Sequence, residues 1–390
     1  MRFNTTLLHG NKMGDVNTGA TLTPVYQSSA FYQPSAEQHE KLFHNKATGF
    51  SYTRINNPTI FAFEERMTTL EGGLASVACA SGMAAITNAL LNIVTCGQEI
   101  VASTSLYGGS IDVFHDFEAF GIKTVFVDIS DVNAVEAAIN ENTRVIFAET
   151  IGNPKLDVVD IEALAELAHR HDLPLVMDNT VATAYLVKPI EKGADIVVNS
   201  TSKYINGNSS AISGVITDAG RFKWDLERYP GMKDYKKFAK FAFTAKLRNG
   251  LFRNMGACMA PQTAFYNLIG METLGLRMER ACSNAKALAE FLNTYPDITV
   301  NYPGLACSPW HDVADKVLAN GYGAILTIRV GSKERAFSII NNLSIPKIVS
   351  NIGDTKTLII HPESTLNAHS TEKEKEDAGV FFFCTLPATA

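Results

Sequence analysis

RVIFAETIGNPKLDVVDIEALAELAHRHDLPLVMDNTVATAYLVKPIEKGADIVVNSTSK, residues 144–203, decides the fold. Three short runs rich in apolar and β-branched residues, RVIFAET (144–150), PLVMDNT (174–180) and DIVVNS (195–200), read as strands, and DIEALAELAHRH (160–171) has the spacing of a helix. The alternation starts upstream, with EIVAST (99–104) before IDVFHDFEAF (111–120) and TVFVDI (124–129) before VNAVEAAIN (132–140). Strand and helix repeating at this interval predict an α/β fold, a mostly parallel sheet with helices on both faces.

Outward from this core the pattern changes twice. Residues 1–57, with stretches such as TGATLTPVYQSSAFYQPSAE (18–37), lack clear periodicity and read as an extended arm. Regularity begins at Pro58 with a helical stretch to Thr69, a turn at Gly72 and Gly73, and Ser81-Gly82 where a further helix starts. The large domain is expected over 58–260. Residues 261–390 form a smaller α+β domain, with a long helical region from about Thr263 to Asn293 and the strands ITVNY (298–302) and AILTIRV (324–330).

Composition bounds the function. The 390 residues are 46% hydrophobic and 19% charged with net charge -6, which suits a well-packed globular protein and disfavours nucleic acid as partner. The stretch from Arg221 to Arg253 carries ten Lys/Arg against three Asp/Glu, a pattern usually explained by a solvated helix face. Six scattered cysteines without C-x-x-C spacing, no metal-site pattern, no apolar leader and no run of 18 apolar residues point to a reducing, cytoplasmic setting without membrane or metal.

In open α/β sheets ligands bind beyond the carboxyl ends of the strands. Asp178 ends one predicted strand, Ser200, Ser202 and Lys203 follow another, Asn153 follows RVIFAET, and Tyr107 follows EIVAST. Ser81-Gly82-Met83 opens a helix, so its N–H groups and helix dipole suit a phosphate. A buried aspartate keeps a pyridine nitrogen protonated, a desolvated lysine is a better nucleophile, and a tyrosine can stack on a ring and move protons. Taken singly, each has an ordinary reading as a helix cap, a turn residue or a solvated lysine. Together they describe a site for pyridoxal 5'-phosphate (PLP), with Lys203 forming the Schiff base.

S-x-S-K-Y-I-N-G (200–207), M-D-N-T (177–180), Y-T-R-x-x-N-P-T (52–59) and S-L-Y-G-G (105–109) resemble the Cys/Met-metabolism family of PLP enzymes over nearly the whole chain. The resemblance implies a fold-type I, aspartate aminotransferase-like architecture. It implies that Lys203 holds the cofactor, Asp178 pairs with the pyridine nitrogen, Asn153 contacts the ring hydroxyl, and Gly82, Met83, Ser200 and Ser202 bind phosphate with Ser81. Tyr52 and Arg54 match a pair that reaches the phosphate of a neighbouring subunit, so a homodimer is the expected minimum and a homotetramer the usual assembly, the arm 1–57 lying on the neighbour.

Within that family the segment 218–261, GMETLGLRMERACSNA (270–285) and NIGDTKTLIIHPESTLNAHS (351–370) are similar to the O-acetylhomoserine sulfhydrylase branch. Gly109 stands where methionine γ-lyases usually carry cysteine. The implied reaction is γ-replacement on O-acetyl-L-homoserine by sulfide or methanethiol, giving homocysteine or methionine plus acetate, with Lys203 moving protons and Tyr107 assisting. Methionine γ-lyase or cystathionine γ-synthase activity, or an impaired PLP-binding subunit, are the alternatives.

The last alternative comes from a departure. The family closes with L-I-R-x-S-x-G-x-E, whose arginine grips the substrate carboxylate, whereas AGV (378–380) is followed here by FFFCTLPATA and the last arginine is Arg335. The tail can pack as a surrogate strand, and Ser350 can still meet the carboxylate through its backbone. A buried bidentate arginine contact is worth on the order of 1.5–3 kcal/mol. The expected consequence is a KM for O-acetylhomoserine raised roughly tens-fold; steady-state kinetics returning an ordinary family KM would contradict it.

Overall fold

The computed structural model describes residues 2–10, 14–15, 18–368 and 370–379 and the backbone of 383–387. Seven strands, β1 (Ala75–Cys79), β2 (Glu99–Ser103), β3 (Lys123–Val127), β4 (Thr143–Glu149), β5 (Leu175–Asp178), β6 (Ile196–Asn199) and β7 (Gly214–Asp218), form one sheet in the order β1-β7-β6-β5-β4-β2-β3. Neighbours β6-β5-β4-β2-β3 are parallel, and β7 runs antiparallel to both β1 and β6. The α/β reading of the sequence is borne out.

Successive strand side chains face opposite ways, and here both directions are apolar. Val145, Phe147, Val176, Ile196 and Val198 join one buried cluster, while Ile146, Ala148, Leu175, Met177 and Val197 join the other. With both faces covered, polar chemistry has room only at the strand ends. The order reverses at β2 and β4, because β3 lies beyond β2 on one side and β5 beyond β4 on the other. The crevice at that switch point is where a ligand fits best.

Capping chemistry explains where the flanking helices begin and stop. Asn57 caps the helix Pro58–Glu71, its Oδ1 accepting from Thr59 N at 2.9 Å, with Pro58 at the first position and Gly72 (φ 73°) closing it. The single helical region expected from about 263 to 293 is instead two helices, Pro261–Glu272 and Leu274–Leu292. At the break Thr273 leaves the helical conformation (φ -108°, ψ 5°), and Arg277 compensates by donating to Gly270 O at 2.7 Å and to Tyr204 O at 2.5 Å. The first 57 residues are also less extended than their composition suggests. Phe3–His9 and Ala36–Phe43 are helical, and Leu7 is buried in the main core.

Beyond the large sheet, β8 (Thr299–Asn301), β9 (Ile325–Arg329), the short parallel pair β10 (Lys347–Ile348) and β11 (Leu358–Ile359), and β12 (Phe383–Pro387) follow. The antiparallel order β12-β9-β8 makes a second sheet over a core that includes Tyr302, Leu326, Ile328 and Ala336. Within the tail 383–387 does form a strand, Phe383 opposite Arg329 and Pro387 opposite Ile325; 381–382 and 388–390 lie outside the described residues. Among the described residues no helix is long and apolar enough to cross a membrane.

Candidate active site

A cavity of ≈ 400 Å³ opens at the switch point. Its lining brings together Ser81, Gly82, Met83, Tyr107, Asn153, Asp178, Ser200, Ser202, Lys203 and Ser350, ten residues singled out in the sequence, from positions 81 to 350. Tyr52 and Arg54 stand apart, on a separate cleft with Gln27, Ser28, Ser29 and Pro261. There Arg54 Nη1 donates to Arg253 O at 2.5 Å, and its guanidinium lies over the Tyr52 ring at 5.5 Å.

One end of the cavity is built for an anion. Ser81 caps the helix Gly82–Leu91, its Oγ accepting from Ala84 N at 3.0 Å, so the first turn points its dipole and remaining N–H groups at the cavity. A Cβ on Gly82 would lie 2.6 Å from Ser200 Cβ, so only glycine lets the two segments close to this distance. Ser200 is fixed in turn by its N–H, which donates to Thr180 Oγ1 at 2.7 Å. The Ser202 hydroxyl is already engaged on both sides, donating to Ser213 O at 3.0 Å and accepting from Ser213 N at 2.8 Å.

The floor is acidic. Asp178 ends β5 and faces Glu149, its register partner at the end of β4. Asp178 Oδ1 accepts from Thr180 N at 2.9 Å, and Glu149 Oε1 accepts from Tyr107 N at 2.7 Å. Burial raises both carboxyls above the ordinary range, and for Glu149 the neighbouring Asp178 charge adds to it. Two desolvated carboxyls side by side favour a cation between or above them. Glu149 was missed in the sequence although the strand-end rule that found Asp178 applies equally to it.

Lys203 reaches the cavity from beyond β6, and burial lowers its ammonium pKa. Its Nζ donates to Asn351 Oδ1 at 2.7 Å, a partner that no local sequence signal reveals because it lies 148 residues away. Asn153 Oδ1 is buried without a hydrogen-bond partner among the described residues. Tyr107 is 41% exposed, and the burial of its hydroxyl first, then Asp112 and Glu149, hold that hydroxyl protonated above the usual phenol range. Gly109 makes room for that ring, since a Cβ there would meet Tyr107 Cε1 at 2.6 Å. No arginine lines the cavity among the described residues, and Lys203 is its one basic side chain.

These residues fit PLP. A glycine cradle at a helix start suits the phosphate, the orphaned Asn153 oxygen marks a polar contact still to be made, buried Asp178 suits a protonated ring nitrogen, and Lys203 is an amine of lowered basicity.

Comparison with known proteins agrees with this geometry. The sequence profile described as Cys/Met metabolism PLP-dependent enzyme matches residues 4–382. An O-acetyl-L-homoserine sulfhydrylase of Corynebacterium glutamicum is 40% identical, over 97% of this chain and 91% of the relative; one of Leptospira meyeri is 42% identical, over 96% and 90%. An L-methionine gamma-lyase of Fusobacterium nucleatum subsp. polymorphum is 39% identical, over 96% and 91%. Among solved structures, a putative O-acetylhomoserine (thiol)-lyase from Campylobacter jejuni superposes with TM-score 0.96 at 32% identity, covering 100% of this chain and 96% of that one, and carries a pyridoxyl-lysine monophosphate at its position 205.

If Asp178 holds the ring nitrogen protonated, Asp178→Asn should keep bound cofactor but lower kcat by roughly 10²-fold or more. Cofactor absorbance and kcat measured on one preparation check this, and a variant turning over at the parent rate would contradict it.

Proposed function

The chain belongs to the Cys/Met metabolism PLP-dependent enzyme family, and we propose that it replaces the acetate of O-acetyl-L-homoserine with sulfide or methanethiol, giving homocysteine or methionine. It is a PLP-dependent enzyme with the fold-type I α/β architecture of that family. The observation that carries the reading is the convergence of Lys203, Asp178, Asn153 and the Ser81-Gly82 turn on one cavity. The choice of substrate is supported by 40% and 42% identity to the two sulfhydrylases over nearly the full chain.

Bound PLP supplies the electron sink that lets a Cα–H bond break with its electrons left behind. The rest falls to the chain. Lys203, with its basicity lowered by burial, takes the Cα proton once its amine is free, would pass that proton to the bound cofactor, and so, neutral again, takes the second proton at Cβ. Tyr107 stays protonated near neutral pH and is placed to donate to the departing acetate, which leaves Cγ with its bonding pair. Sulfide or thiolate then adds at Cγ, and the protons return to Cβ and Cα. Ser350 lines the same cavity, and in this account its backbone meets the substrate carboxylate.

Elimination is the second reading, favoured by the 39% identity to an L-methionine gamma-lyase. Gly109 weighs against it. At this position, where the family resemblance usually puts cysteine in methionine γ-lyases, a side chain would displace the Tyr107 ring.

Two subunits at least complete the site in this account, because Tyr52 and Arg54 lie away from the cavity of their own chain. In it the arm 1–57, apart from the helix Phe3–His9 that packs on its own core, lies on the neighbour, 58–260 carry the cofactor, 261–390 form the small domain, and four subunits make the assembly. A cytoplasmic setting agrees with the five free cysteines among the described residues.

With O-acetylhomoserine and sulfide the expected products are homocysteine and acetate, identified by chromatography and mass spectrometry. Predominant 2-oxobutyrate would mean elimination, and cystathionine formed only when cysteine is added would mean condensation; either result overturns the assignment.

A further inference from the structure

A chain of hydrogen bonds runs from the Lys203 amine out of the cavity. Lys203 Nζ donates to Asn351 Oδ1 at 2.7 Å, Asn351 Nδ2 donates to Ser209 Oγ at 2.9 Å, and the Ser209 hydroxyl donates to Asp354 Oδ2. Asp354 is buried, and its other oxygen accepts from Lys356 N and Nζ, both at 3.1 Å. Burial works to raise the Asp354 carboxyl, but the bonds from Ser209 and Lys356 outweigh it and hold it ionised, below the ordinary range.

Each link has one possible direction. A carboxylate only accepts, so the serine must give its proton to it. The serine oxygen is then left to accept, which turns the NH₂ edge of the Asn351 amide toward it. The oxygen edge therefore faces the lysine.

We propose that Asp354, Ser209 and Asn351 form a positioning relay that fixes one amide so that its oxygen, not its NH₂ group, meets the Lys203 amine. An amide oxygen takes one N–H of the amine and leaves the nitrogen lone pair for bond formation and proton transfer. The NH₂ edge would occupy that lone pair and repel an ammonium group. The inference rests on the reading of Lys203 as the cofactor-binding lysine and extends it to residues outside the cofactor contacts.

Two further observations support the relay. Ser209 has φ 58°, a left-handed conformation that glycine adopts freely and side-chain-bearing residues rarely do. What serine adds there is its hydroxyl, and both hydrogen bonds of that hydroxyl belong to the relay. The turn carrying Asn351 and Asp354 is also pressed onto the lysine backbone. A Cβ on Gly353 (φ 74°) would lie 2.4 Å from Tyr204 N and 2.7 Å from Lys203 C, and Thr355 N donates to Gly207 O at 2.9 Å. Relay and lysine are thus held at a fixed distance.

The other titratable groups lining the cavity with Lys203 are Glu149, Asp178 and Tyr107, with Lys356 at the far end of the relay. None of them is altered in the test. Full-length chain freed of cofactor is mixed with PLP, and the rate of capture is followed by absorbance across pH. Capture needs the neutral amine: its nitrogen bonds to the aldehyde carbon and water leaves.

An amide oxygen favours the ammonium form, so Asn351→Leu should move the apparent pKa of capture down by about one unit. Ser209→Gly suits the backbone and frees the amide to turn, so it should keep or raise thermal stability, shift capture in the same direction, and lower kcat roughly 10-fold with little change in KM. If both variants capture PLP with the parental pH profile and turn over at the parental kcat, the relay is wrong. If the parent captures PLP but does not convert O-acetylhomoserine, the reaction assignment fails, while the capture profiles still decide the relay.

Discussion

Glu149 and Asp178 stand opposite each other at the ends of two buried parallel strands, and desolvation drives both toward protonation. That pairing is unfavourable unless the site is organised around it. Tyr107 N and Thr180 N each satisfy one carboxyl, and these contacts place the tyrosine beside the cavity and the Thr180 hydroxyl under Ser200. The anion cradle at Ser81-Gly82 follows β1 and the lysine follows β6, and Ser200, held by Thr180 and pressed against Gly82, joins them to the carboxyl floor. A ligand with a cationic ring nitrogen at one end and a phosphate at the other answers both electrostatic demands at once.

The scaffold explains why these groups meet. Both faces of the central strands are apolar, so helices cover them and the polar residues gather where the strands stop. Because the order reverses between β2 and β4, the loops after them diverge and leave the crevice into which Tyr107 and Asn153 project.

Much of this was legible in the sequence, for reasons that differ by residue. Asp178, Asn153 and Lys203 follow strongly patterned strands, so the strand-end rule located them. Glu149 obeys the same rule and was passed over because it sits inside the apolar-looking run RVIFAET. Asn351 and Ser209 were not legible as a pair, since their contact spans 142 positions and depends on how the turn at Gly353 packs on Lys203. The break at Thr273 was hidden because its support is partly tertiary: Arg277 takes up Gly270 O at the kink and at the same time Tyr204 O in the segment after β6. Helicity within the first 57 residues was obscured by a polar composition in which Leu7 alone of the two helices is buried and Phe3 packs beside it on the core.

Lys203 is not the only lysine with lowered basicity. Lys246 is also partly buried, its ammonium is brought down to about 8 by desolvation, and its Nζ donates to Asn92 O. The direct test is to load the full-length protein with PLP, reduce it with borohydride, digest it and map the pyridoxyl mass by peptide sequencing. The account predicts the label on the peptide containing Lys203. A label on Lys246 or any other lysine, with Lys203 unmodified, would contradict it.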